Sequence, residues 1–394
     1  MEYKEAISFC RRMEERCPLI QIRSMCLSAH LDSFCRRLDE LSGLEFIYQT
    51  DDPGAMRRRV GWDVSAAYKN GPMTVESYSR ALECDVLVEM LRELDLMETR
   101  AIAGKATVYV SERWLKPLVI RGFRLPAIFR LLSPRYLTMV RRFVRLMDCD
   151  RFYVFPCGVH AVYDFVRLYR LMHGDLRCLF RAPDVNVDRH LCGVVEGFRR
   201  MRLWGYFVAS SKHSSKINRT RGNVLKLLWV GRMLNWKRVD VLIKAFKIVC
   251  TKRAAALLII GEGPEKDALL SLAGSLSLNK LGWEEGKICF NGYVQSVKAR
   301  ELMRDADVYV MPSNSEEGWG AAVSDALTEG CPVISTWEAG SSATLLPESN
   351  LYHSKDVNGL AKLLVEFHGQ RVVYSSKEWS GENAAEKLME VVRC

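Results

Sequence analysis

Asp307-Val308-Tyr309-Val310-Met311-Pro312-Ser313, then Glu317-Gly318-Trp319-Gly320 and, eight residues after Glu317, Asp325, decide how this chain is read. The first segment has the composition of a buried strand that stops at Pro312. Ala321 to Glu329 has the pattern of a helix closed by Gly330. A carboxylate, two glycines and a helix start therefore meet at the carboxyl end of a strand, where open α/β sheets bind ligands. Unbonded N–H groups at a helix start favour phosphate, and Gly318 and Gly320 admit a ligand close to the backbone. A carboxylate repels phosphate but accepts hydrogen bonds from hydroxyls. A sugar nucleotide offers both groups.

Working outward, strands and helices alternate from Lys226 onward. Leu227 to Val230 ends in Gly231-Arg232. Arg238 to Cys250 carries apolar residues at Val239, Leu242, Ile243, Phe246 and Val249, the spacing of a helix. Ala256 to Ile260 is the next strand, stopped by Gly261-Glu262-Gly263-Pro264, and a helix runs from Glu265 to Ala273. Lys287–Asn291, Val297–Arg304 and Pro332–Ser335 extend the series. Such alternation implies a parallel, doubly wound sheet. Gly261-Glu262-Gly263 lacks the third glycine of a dinucleotide fingerprint and reads as a strand-to-helix turn.

The earlier half is less regular. Leu19–Met25, Leu44–Gln49, Asp85–Met90, Thr107–Val110 and Phe152–Pro156 are strand candidates, with a helix over His30–Leu41. Arg200–Ser211 reads as a joint and Ser210–Asn223 as a connecting loop. The 394 residues accommodate two domains, expected over 1–208 and 209–374, with a terminal helix over 375–394 packing back on the body. Charged residues at 26% and hydrophobic ones at 48% suit a globular protein. The thirteen cysteines include no CxxC pair, and the start of the chain lacks the apolar core of a signal peptide. A cytoplasmic protein is therefore expected. Net charge +10 favours acidic partners.

Four blocks in order resemble retaining glycosyltransferases of the GT-B class, of the family-4 (glycosyl transferases group 1) type. They are Val230–Leu234 with Lys237 and Leu242–Phe246; Ile259–Pro264; Phe290–Val294; and Pro312–Ser313 through Glu317–Gly320 and Asp325 to Ile334. They span about Lys226 to Val365. The resemblance implies two Rossmann-like doubly wound parallel-sheet domains with an interdomain cleft, the first binding an acceptor and the second a nucleotide sugar. Two departures stand out. The second acid of the family's pair is Asp325 rather than glutamate, one methylene shorter, and the usual glycine pair after the first strand is replaced by Ser28-Ala29-His30.

Hexosyl transfer leaves negative charge on the departing diphosphate, and fixed cations and backbone amides aimed at that charge are the main catalytic aid. The resemblance gives this role to Arg232 and Lys237, with Glu317 holding donor-sugar hydroxyls. Gly231, Gly318, Trp319, Gly320 and Asp325 would complete the donor site. Glu316 is the rival of Glu317, and Trp319 is equally suited to filling core volume. Asp325 is expected to share a helix face with Ala322 and Glu329. His30 and His160 are candidates for the acceptor side. Asp148-Cys149-Asp150 and Asp305-Ala306-Asp307 resemble metal-holding triplets, but both precede strands, away from the ligand edge, so no metal or other cofactor is expected.

Arg113 to Arg145 holds nine basic residues and no acidic one, with Trp114 and other apolar residues interleaved. Such a stretch suits an anionic membrane face, with Arg113, Trp114, Lys116, Arg121, Arg124 and Arg130 as contacts. The plain alternative is a solvated helix face over core residues. No nucleic-acid motif accompanies the charge, so no nucleic-acid partner is expected. The expected activity is metal-independent hexosyl transfer to a glycan or lipid-linked acceptor at the inner face of the cell membrane, in surface or capsular polysaccharide synthesis. A GT-B-fold epimerase or phosphorylase, or a weakly catalytic nucleotide-sugar-binding subunit, are the alternatives.

Overall fold

In the central strands of each large sheet, residues are buried whichever face they point to. A computed structural model describes residues 17–25, 28–49, 68–120, 123–208, 223–276, 286–368 and 377–393. The connecting loop expected over Ser210–Asn223 lies outside these residues except for its last position. The described chain divides into two compact units: residues 17–208 with 377–393, and residues 223–368.

In the first unit the strands are β1 (Leu19–Ser24), β2 (Gly43–Tyr48), β3 (Lys69–Pro72), β4 (Val86–Glu89), β5 (Ala106–Ser111), β6 (Leu118–Ile120), β7 (Phe123–Leu125), β8 (Phe152–Pro156), β9 (Val194–Val195) and β10 (Phe198–Arg202). Eight form one sheet in the order β3-β2-β1-β4-β5-β8-β10-β9, and β6 and β7 make a separate antiparallel hairpin. Pairing in the large sheet is parallel except between β9 and β10. The connecting helices are α1 (Ala29–Leu41), α2 (Val75–Glu83), α3 (Leu94–Ile102), α4 (Pro134–Met147) and α5 (Val159–Met172).

The order in which successive strands are laid down reverses between the parallel neighbours β1 and β4, the crevice where such sheets bind ligands. Here it holds a buried ion pair. Arg23 on β1 and Glu89 on β4 stand opposite each other in register and meet at 3.0 Å, both 0% exposed. Burial pushes the Glu89 carboxyl up to about 8, while the Arg23 charge pulls it down. An acid whose folded pKa lies above its unfolded value stabilises the fold fully at low pH. That contribution is lost as pH rises from about 4.5 through 8. Arg23→Met removes the opposing cation and widens this window. The variant should lose about 3 kcal/mol at pH 8, with a smaller loss at pH 5, in urea melts. Equal losses at the two pH values would show that Glu89 does not titrate between them.

The second unit contains β11 (Leu225–Val230), β12 (Ala255–Ile260), β13 (Ile288–Asn291), β14 (Val308–Met311), β15 (Val333–Thr336) and β16 (Leu351–Tyr352), all parallel, in the order β13-β12-β11-β14-β15-β16. Its helices are α6 (Val239–Val249), α7 (Lys266–Ser275), α8 (Ser296–Asp305), α9 (Ala321–Thr328), α10 (Gly340–Leu345) and α11 (Val357–Val365). Strand residues alternate between two cores. Leu227 and Trp229 join Leu242, Phe246 and Ile259 on one side, and Leu228 joins Tyr309, Met311 and Val323 on the other.

The last helix, α12 (Gly381–Arg393), belongs to the first unit. It lies against α1, with Ala384, Ala385 and Leu388 buried and Glu386 bonded to Arg37 at 2.8 Å. The approach is close: a Cβ on Gly381 would stand 2.3 Å from the Phe34 nitrogen. Among the described residues no helix is long and apolar enough to cross a membrane.

Candidate active site

Two loops at the carboxyl edge of the second sheet define the site. The loop after β11 runs from Gly231 through a short 3-10 turn, Asn235–Lys237, into α6. The loop after β14 carries Pro312 to Gly320 into α9. The backbone of Asn314 joins them, because its N–H donates to the Trp236 carbonyl at 2.8 Å. The Asn314 side-chain oxygen accepts from the Glu316 N–H at 2.8 Å, and its carbonyl accepts from the Glu317 N–H at 3.0 Å. These bonds fix the Glu317 backbone, and the Lys237 ammonium reaches the Glu317 carboxylate at 2.5 Å. The pair is 21% and 12% exposed, so both groups remain open to a ligand. Arg232 is exposed on the same loop and has no side-chain partner among the described residues. Asn314 was not anticipated from the sequence; an Asn three residues before the acid, at a strand-to-loop turn, was the available sign.

Glycine is required where the neighbouring loops touch. Gly231 donates its N–H to the Ile260 carbonyl. Gly261 adopts φ +129°, and a Cβ there would lie 1.8 Å from the Gly231 oxygen. The Gly261-Glu262-Gly263 turn thus seats the β12 loop on the β11 loop, with Met233 donating to the Glu262 carbonyl at 2.8 Å.

Gly320 begins α9 with φ +85°, and the Gly318 carbonyl accepts from the Gly340 N–H at 2.9 Å. Trp319 corrects one expectation. Its side chain is 0% exposed and donates to the Ser324 hydroxyl at 3.0 Å, so it fills the core and offers no face to a ligand. Glu329, one turn beyond Asp325, is 6% exposed and held by Arg300 and Arg304 of α8, whereas Ala322 and Asp325 are half-buried. Asp325 remains near the site. The Tyr309 hydroxyl, bonded to the Val230 carbonyl at 3.1 Å, is pushed up first by burial and then by the Glu317 and Asp325 charges.

In the first unit, His30 opens α1 with its ring 6.1 Å from that of Tyr206, whose hydroxyl donates to Glu112 at 2.8 Å. His160 lies in the first turn of α5, near enough for its charge to act on Asp164. Asp164 is buried, which raises its pKa, and it accepts from the Leu115 N–H and from Arg113.

The basic stretch is not a continuous amphipathic surface. It comprises the β6–β7 hairpin, a 3-10 turn at Ala127–Leu132 and α4. Trp114 is 4% exposed and packs within the core, tilted on Phe143 and edge-on to Phe165, which corrects its reading as a membrane contact. Arg113 is turned inward to Asp164. Lys116 pairs with Glu112, and Arg130 donates to the Lys116 and Pro117 carbonyls. Arg124 lies on β7, and Arg121 is outside the described residues.

The two acidic triplets sit at amino ends of strands. Asp148 ends α4 and accepts from Tyr169, while Asp150 faces Arg200. Asp307 accepts from the Lys226 N–H ahead of β14.

Comparison with solved structures gives the fold. The chain is similar to Anabaena HepE in complex with UDP (TM-score 0.61, 15% identity, 95% of this chain and 99% of that one). It is equally similar in extent to the lipopolysaccharide outer core galactosyltransferase WaaB (TM-score 0.59, 12% identity, 95% and 99%). The two parallel-sheet α/β units are those of the GT-B glycosyltransferase fold. Residues 225–369, which hold every donor-side candidate, match the family model described as "Glycosyl transferases group 1". An uncharacterized glycosyltransferase of Methanocaldococcus jannaschii is 27% identical over 191 residues, covering 46% of this chain. The chain thus spans 45% of that relative's length.

Proposed function

We propose that this chain is a retaining glycosyltransferase of the family-4 type. It would move a hexosyl unit from a nucleotide-diphosphate sugar to a glycan or lipid-linked saccharide. The observation that carries the reading is the Lys237–Glu317 pair, open to solvent beside Arg232 at the carboxyl edge of the second sheet. A diphosphate entering here meets two cations with no other fixed partner than Glu317. Lys237 then turns from the carboxylate to the phosphate, and Glu317 is left to accept hydrogen bonds from sugar hydroxyls. Arg232 grips two phosphate oxygens at once, whereas Lys237 acts as a point charge. Charge developing on the leaving diphosphate is met by these groups, so transfer that persists in EDTA is the expected outcome. Asp325 would approach the nucleotide's ribose, through water where its side chain falls short.

The bound UDP in HepE supports a uridine diphosphate sugar as the first donor to test. A melting curve with UDP-, GDP- and ADP-sugars checks this. The cognate donor at a hundredfold excess over its Kd should add about 2.7 kcal/mol of stability and raise Tm. Absence of a shift with every donor would remove the donor site proposed here. For a lipid-linked acceptor, the exposed Phe129 and Leu132 near Arg135 supply the apolar contact that Trp114 does not.

A further inference from the structure

A cleft of about 640 Å³ opens in the first unit between the loop after β4 and the start of α4. Tyr78, Arg92, Glu93, Arg135, Thr138 and Arg142 are among its walls. Its charges do not cancel. Arg142 is held by Asp95 and Glu98, and Glu93 is turned to the buried Arg23 at 3.4 Å. Both acids of the wall, Glu93 and Asp95, are therefore engaged, and Arg92 and Arg135 are left without a carboxylate among the described residues. Arg92 is held in place over the Trp114 ring at 4.8 Å and also acts on the buried Tyr109 hydroxyl, and its exposed guanidinium carries further N–H donors. Arg135 stands in the first turn of α4, where the helix end itself favours an anion. The Tyr78 and Thr138 hydroxyls add neutral donors.

We infer that this cleft binds a phosphate group, and that the acceptor saccharide carries it. Two guanidinium groups, a helix start and hydroxyls match the oxygens of a phosphate ester, and the volume admits the sugar attached to it. The second half of the inference rests on the transferase reading; the first does not. Either a soluble sugar phosphate or a lipid-linked one presents this chemistry.

The test uses the full chain with UDP present at saturation, so that phosphate cannot occupy the donor loops. Glucose 1-phosphate is titrated by calorimetry, and phosphatidylcholine vesicles doped with a polyprenyl phosphate are assayed by flotation. Binding in the first arm identifies a soluble ester, and binding in the vesicle arm alone identifies a membrane-borne one. In the arm that binds, Arg135→Ala should weaken affinity about tenfold and Arg92→Gln at least as much, while UDP affinity is unchanged. Arg135 is exposed, so its variant tests the cleft without disturbing the core; Arg135→Lys should recover part of the loss. Binding in neither arm, or binding indifferent to Arg135→Ala, overturns the inference. Failure of UDP itself to bind would instead strike the donor reading, and the titrations repeated without UDP would still decide the cleft.

Discussion

Glu317→Ala should lower transferase turnover by about 10²- to 10³-fold while the protein stays folded. That is the effect of removing one well-placed group from the stabilisation of a transition state. The measurement is release of UDP from the cognate donor, with and without acceptor. Stability should change little. Lys237 loses its partner, but at 21% exposure it can turn to water, so the penalty stays near about 1 kcal/mol, below the ~3–5 kcal/mol of a fully buried pair. Glu316→Ala is the control, because the neighbouring acid contributes its backbone N–H to Asn314 and that bond survives the substitution. Turnover unchanged in Glu317→Ala would remove the site assignment, and a large loss in Glu316→Ala alone would transfer it one residue back.

Gly261→Ala should unfold the second unit or nearly so. The added Cβ would lie 1.8 Å from a backbone oxygen, at a φ that L side chains rarely adopt. No rotamer change relieves this, since the obstructing Gly231 carbonyl belongs to the adjacent strand end. A loss of at least about 3 kcal/mol is expected from overpacking and backbone strain together. Denaturant midpoints check it, and donor binding should fall in parallel because Gly231 opens the loop that carries Arg232 and Lys237. By contrast, a Cβ on Gly286 meets nothing within 4 Å, though its φ of +70° still favours glycine. Gly286→Ala should therefore be much milder, reflecting backbone preference alone. Similar losses at the two positions would mean that the close approach at Gly261 is not the cause.

The second unit was legible as far as β15 because its strands are apolar runs stopped by glycine, and those elements differ from the sequence reading by a residue or two at their ends, whereas α10, β16 and α11 were not read. Leu227–Val230 became Leu225–Val230, and Arg238–Cys250 became Val239–Val249. The first unit hid part of its sheet. β3 reads Lys-Asn-Gly-Pro, a poor strand by propensity, and pairs as an edge through its backbone. β1 and β2 were read as strands, but the buried places of Gln21, Arg23 and Glu45 on them were not. These polar groups are satisfied only once the chain has folded: Gln21 bonds Glu45, and Arg23 bonds Glu89. Long-range partners of that kind leave no local mark. Trp114 misled for a related reason. Its flanking cations suggested a surface, whereas Arg113 folds inward to Asp164 and the ring enters an aromatic cluster.

The helix Gly381–Arg393 lies on α1, so the first unit draws on chain from both sides of the second. During synthesis the segment 223–368 emerges as one uninterrupted piece and can close on itself at once. The earlier segment lacks the cover that Ala384, Ala385 and Leu388 give α1 until residues 381–393 have followed. The unit whose synthesis begins first is thus completed only after the other has been made.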